Sequence, residues 1–83
     1  SSSESVLKAT QAQVKAAEIA NEGITLEYDS GNTRTTLEVI QSRRLLLDAR
    51  ISNAIAERNF AISKFELLTI IGGLTLENLK KTR

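Results

Sequence analysis

Tyr28-Asp29-Ser30-Gly31-Asn32-Thr33-Arg34-Thr35-Thr36-Leu37-Glu38-Val39-Ile40 joins two long helical patterns through one short polar turn. Gly31 has no Cβ, so it can take the left-handed conformation that closes a helix C-terminus. Thr35 and Glu38 stand at capping-box spacing. The Thr35 hydroxyl can accept from the Glu38 amide while the Glu38 carboxylate accepts from the Thr35 amide. One helix therefore spans about residues 4–30, a tip turn 31–34, and a second helix begins near residue 35.

Upstream of the turn, small and apolar residues spread over two neighbouring faces. Ala9, Ala12, Ala16 and Ala20 make a flat side that lets another helix approach closely, while Leu7, Val14, Ala17, Ile24 and Tyr28 line a second. Gly23 falls inside this run and costs about 1 kcal/mol relative to Ala, without interrupting the period. Downstream, counting by three and four gives Leu37, Ile40, Arg44, Leu47, Ile51, Ala54, Arg58, Ala61, Phe65 and Leu68, a coiled-coil seam on which Asn53 is expected to be exposed. Arg44 and Arg58 on that seam suit pairing with a carboxylate of a neighbouring helix. Val39, Leu46, Ile55 and Ile62 lie off it, so this helix has more apolar surface than one partner can cover.

Gly72-Gly73 predicts the end of the second helix near residue 71, with Thr75 capping a short helical turn over 74–81 and Lys80, Lys81 and Arg83 at its C-terminal end. At about 1.5 Å per residue the second helix would be about 54 Å long. The fold class is all-α: a long antiparallel helical hairpin with a short C-terminal turn, a rod of one domain over residues 1–83.

Composition bounds what such a rod can do. With 83 residues, two Phe, one Tyr and no Trp, it cannot build a bulky aromatic core, and small chains of this kind rely on disulfides, metals or association. No Cys and no His are present, which leaves association. A net charge of +1 from 11 basic and 10 acidic interspersed residues offers no basic face for nucleic acid. No run approaches the roughly 18 apolar residues needed to span a bilayer. The Ser, Thr, Lys, Tyr and carboxylate side chains stand in no nucleophile, phosphate-loop or metal-ligand spacing, so the expectation is a non-enzyme with no catalytic residue, metal or cofactor.

The turn resembles the TolC-type outer-membrane efflux proteins, whose helical-barrel hairpins commonly turn through Tyr-x-x-Gly-x-Arg-Thr-x-x-(Asp/Glu)-Val-Leu. The matching residues are Tyr28, Gly31, Arg34, Thr35, Glu38, Val39 and Ile40, with one extra residue because Asn32-Thr33 stands where the commoner pattern has a single position. The likeness continues through Leu46-Leu47-Asp48-Ala49-Arg50, Ala56-Glu57-Arg58 and Leu67-Leu68-Thr69-Ile70-Ile71-Gly72-Gly73-Leu74.

The resemblance implies an α-barrel hairpin at the periplasmic entrance of an outer-membrane channel in a Gram-negative bacterium, the exit duct of a tripartite drug or protein export system. A secretion signal and membrane strands would then belong to other parts of a longer chain. Implied partners are a periplasmic adaptor, an inner-membrane transporter and further copies, a trimer for the full channel and a dimer or higher for this chain alone. Tyr28 and Arg34 would be the latch pair beside the Gly31 turn, and Glu38 an acidic ring. Gln41 stands where many relatives place a second Asp, leaving one charged ring. Ser30, Gly31, Asn32, Thr33, Arg34 and Thr35 would dock the adaptor. The alternatives are an adaptor-type coiled-coil docking or scaffold module without a channel, whose Arg-Leu tip signature has no counterpart at this turn, and a free-standing four-helix dimer.

Overall fold

The computed structural model describes residues 2–31 and 34–81. Helix α1 spans Ser2–Asp29 and helix α2 spans Thr36–Lys81, with no strand among the described residues. They run antiparallel in a rod of 77 × 15 × 14 Å, the hairpin read from the turn. At the end of α1 the Ser30 amide donates to the Leu26 carbonyl and the Gly31 amide to Tyr28, closing the last turn more tightly. Gly31 then takes φ 79°, where a side chain would be strained. The Thr35 carbonyl accepts the first bond of α2, from the Val39 amide.

The residues that face across the hairpin step by three and four along both helices. On α1 they are Ser3, Leu7, Thr10, Val14, Ala17, Asn21 and Ile24; on α2 they are Val39, Ser42, Leu46, Ala49, Asn53, Ala56, Phe60 and Ser63. The α1 side was legible in Leu7, Val14, Ala17 and Ile24. The α2 side overturns the expected register: Ala56 is 3% exposed while Ile51 is 49% exposed, and Asn53 is half-buried instead of facing water.

The anticipated seam from Leu37 to Leu68 exists as a stripe, but on the outside of the hairpin. Hydrophobic periodicity finds the most apolar face of a helix and is silent on which neighbour covers it. Here the turn sets the rotation of α2 about its axis, and the two backbones close on small and polar side chains interleaved with aliphatic ones, among which Val39 and Leu46 are buried.

These polar residues pair across the seam. The Ser3 and Ser63 hydroxyls lie 3.0 Å apart. Thr10 Oγ1 sits 3.1 Å from Asn53 Oδ1 and 3.0 Å from the Leu7 carbonyl, and Asn21 Nδ2 donates to Ser42 Oγ at 3.1 Å. Any shift in register would leave part-buried polar groups without partners, at about 1–3 kcal/mol for each group left unsatisfied. No buried side-chain N or O among the described residues lacks a hydrogen bond.

The C-terminal stop at Gly72-Gly73 is not made. Helix α2 continues through both glycines to Lys81, because neither adopts the positive φ that would close it. Thr75 does not cap a new turn. Its hydroxyl donates back to the Ile71 carbonyl at 3.0 Å, as Thr69 does to Phe65 at 2.9 Å. At about 1.5 Å per residue, α2 is therefore about 69 Å long rather than about 54 Å. Continuity also gives Thr36–Asn78 the length of a membrane-crossing helix, and its most apolar 18-residue window has a mean hydropathy of 1.2, a match by length and composition only. Thr82, Arg83 and the Lys81 side chain lie outside the described residues.

Since Ser3 stands opposite Ser63, α2 beyond Lys64 has no α1 beside it, and Phe65, Leu68, Ile71 and Leu74 are exposed there. Packing predicts a contrast between the two faces of α2. Ala56→Leu should overpack the seam and cost about 1–3 kcal/mol. Ile51→Ala should change the stability of the single hairpin by less than about 0.5 kcal/mol. Chemical denaturation at concentrations where unfolding is concentration-independent measures both, and the reverse order would place Ile51 on the seam.

Candidate functional site

The tip is where the chain concentrates charge and hydrogen bonds. The Glu38 amide donates to Thr35 Oγ1 at 3.2 Å and the Thr35 amide to Glu38 Oε1 at 3.4 Å, the reciprocal pair expected of the capping box. Glu38 keeps its second oxygen for Arg34, whose Nη1 lies 2.8 Å from Oε2. The same guanidinium places Nε 2.5 Å from Glu27 Oε2 in the last turn of α1. Arg34 thus bridges the end of one helix and the start of the next.

This bridge answers an electrostatic problem set by the sequence. The last turn of α1 has no basic residue and ends on Asp29, with Glu27 close by, so negative side chains stand at the negative end of the helix dipole. Arg34 brings a cation to that position. Glu38, at the N-terminal end of α2, lies where the dipole favours an anion. The Arg34 hydrogen bond, and after it the Thr35 amide, hold the Glu38 carboxyl below its ordinary value of 4.5. Arg34 is held protonated above its usual range, first by Glu38 and then by Glu27. All three side chains remain more than a third exposed, so solvent screens the cluster.

Each anticipated tip residue has a definite place. The Tyr28 hydroxyl lies 3.0 Å from Thr36 Oγ1, while Arg34 goes to Glu27 and Glu38. Tyr28 and Arg34 accordingly bind different groups within one hairpin. The Ser30 hydroxyl donates to the Glu27 carbonyl at 3.0 Å, and Gly31 supplies the left-handed bend. Asn32 and Thr33, also expected at the docking tip, lie outside the described residues. Sequence reasoning missed Glu27 as the partner of Arg34; its signal was an acid in a C-terminal helical turn with no base nearby.

Beside the tip a groove of about 270 Å³ runs between the helices, lined by Ala17, Ala20, Ile24, Gln41, Ser42 and Leu45, with Glu38 at its tip end. Its floor is alanine and aliphatic carbon and one end is acidic. Among the described residues no group of three or more His, Cys, Asp or Glu side chains could hold a metal ion. Among the described residues the arrangement is a polar, stapled tip on an apolar rod.

The sign of the pH dependence follows from Glu38. Its folded pKa lies below the unfolded value, so the link contributes above about pH 4.5 and is lost as pH falls through the folded value. Acidification to about pH 3 should therefore loosen the tip in the wild type, and Glu38→Gln should remove that part of the acid sensitivity. Amide exchange at Thr35 and Glu38 across this range measures it; identical acid profiles for the two proteins would show that the link contributes nothing. Separately, Gly31→Ala should cost about 1 kcal/mol in thermal unfolding because of its positive φ.

No family model, no curated protein and no solved structure matches this chain.

Proposed function

We propose that this hairpin is a wall element of a helical export duct of the TolC type, placed at the periplasmic entrance of an outer-membrane channel. The observation that carries the reading is the distribution of apolar surface. Small and polar residues with a few aliphatic ones such as Val39 and Leu46 close the hairpin, while Ile19, Leu26, Leu37, Ile40, Leu47 and Ile51 stand exposed on its outer faces. Each helix then has a neighbour on either side, as in a barrel of helices. A free-standing hairpin gains nothing from this distribution, because its most apolar stripe stays wet.

The tip supports the same reading. A staple of Glu27, Arg34, Thr35 and Glu38 holds the turn as one preformed polar knob, with an apolar groove beside it for the tip of a periplasmic adaptor. In this proposal solute passes down the duct without covalent chemistry, and an inner-membrane transporter supplies the energy. Tyr28 and Arg34 latch the entrance between neighbouring hairpins, Arg34 exchanging an intra-hairpin carboxylate for a neighbour's, and Glu38 contributes the acidic ring. The assembled channel is a trimer.

The test uses the full-length chain that carries this hairpin, reconstituted in a planar bilayer. It should form conducting pores, and Arg34→Ala should raise single-channel conductance or make cells more permeable to large antibiotics, with folded protein unchanged. A folded, assembled wild-type protein without conductance would overturn the export reading. Conductance and export both unaffected by Arg34→Ala would remove Arg34 from the latch.

A further inference from the structure

We infer that the two outer faces of the hairpin are complementary to one another, so that a second copy of this chain packs beside the first in the same orientation, α1 of one against α2 of the next. The inference deepens the proposed wall element by specifying its contact. It begins with a second seam on each helix, on roughly the opposite side from the first at about 100° per residue. On α1 the steps of three and four fall on Ala9, Ala12, Ala16, Ile19, Gly23 and Leu26, all exposed. On α2 they fall on Leu37, Ile40, Arg44, Leu47, Ile51 and Ala54, also exposed.

Set side by side in the same orientation, neighbouring copies bring these seams together at the level already used inside each hairpin. Leu26 meets Leu37, Gly23 meets Ile40, Ile19 meets the stem of Arg44, Ala16 meets Leu47, and Ala12 meets Ile51. The residue numbers of each pair add to the same total as in the observed Thr10–Asn53 and Asn21–Ser42 pairs. Large residues of α2 thus face small ones of α1 at three of these levels. A Cβ at Gly23 would meet nothing within 4 Å in the single hairpin, so the space above it is open to an incoming Ile40.

Charge favours the same pairing over a symmetric one. From Ala16 to Asp29 α1 has four acidic residues and no basic one, and the stretch of chain at the same levels on the α2 side, Arg34 to Leu47, has three arginines against Glu38. Two α2 faces brought together would oppose arginines, and two α1 faces would oppose carboxylates. In the mixed contact Arg44 lies within a turn of Glu22 on the rim of the neighbour's alanine face. This accounts for a guanidinium in the middle of an otherwise aliphatic stripe. Because different patches meet, the contact is heterologous and repeats from copy to copy.

The test blocks one face at a time. Ala16→Glu spoils the α1 outer face and Ile51→Glu the α2 outer face; both positions are exposed in the hairpin. Each variant alone should sediment as a monomer, and an equimolar mixture should form a 1:1 dimer, because each supplies the face that the other has lost. Should a blocked chain lose helicity alone, the mixture still reads the contact, since pairing would then restore circular dichroism together with mass. Adding Arg44→Glu to the Ala16→Glu chain should weaken the mixed dimer by about tenfold or more, and Glu22→Arg on the Ile51→Glu chain should recover it. Self-association of either blocked variant, or no dimer on mixing, would overturn the inference. The contact is read from the isolated chain in solution, so its failure is separable from a failure of conductance in the export test.

Discussion

Close approach of α1 and α2 along a seam in which small and polar side chains alternate with a few aliphatic ones is the constraint on which the rest of this molecule depends. Ala17, Ala49 and Ala56 keep the backbones near each other, and Ser3, Thr10, Asn21, Ser42, Asn53 and Ser63 meet across the gap. Hydrogen bonds of this kind add little net free energy when made and cost more when broken. Their effect is on register rather than on depth of the minimum, in the way a single polar core residue selects the alignment of a coiled coil. Leucine at every seam position would have bonded more strongly and slid more easily.

That choice determines where the apolar surface goes. A chain that is 41% hydrophobic and uses serine, threonine and asparagine at six positions of its inner seam displays most of its leucines and isoleucines outward. The result is a rod with little interior; no large side chain among the described residues is fully buried. Stability on the scale of an ordinary domain needs neighbours to cover those outer stripes. The proposed function answers that need by placing the hairpin between other helices.

The tip serves both ends of this argument. Arg34 reaches Glu27 and Glu38 together, so the same side chain neutralises the C-terminal end of α1 and anchors the first turn of α2. By fixing how α2 leaves the turn, the capping box and this bridge set which face of α2 looks at α1. They also concentrate charge at the tip, with all three ion-paired side chains more than a third exposed.

What the sequence determined by itself was local. Gly31 as the left-handed closure, the Thr35–Glu38 box, the helical period on both sides and the α1 face of Leu7, Val14, Ala17 and Ile24 all follow from interactions within a turn or two, which composition and spacing encode directly. Glu27 as the partner of Arg34 had only a faint signal, because the pair spans the turn and depends on how the chain folds back. The phase of α2 and the fate of Gly72-Gly73 were decided in three dimensions. Ile51 and Asn53 sit two residues apart, and periodicity favoured the isoleucine as the core. The folded turn rotated α2 so that Asn53 met Thr10 and Ile51 faced out. Two glycines permit a helix to stop but do not compel it, and with neither at positive φ the backbone ladder ran on to Lys81. Local chemistry sets what each residue can do; which face is buried depends on the neighbour that arrives, and only the tertiary structure supplies that neighbour.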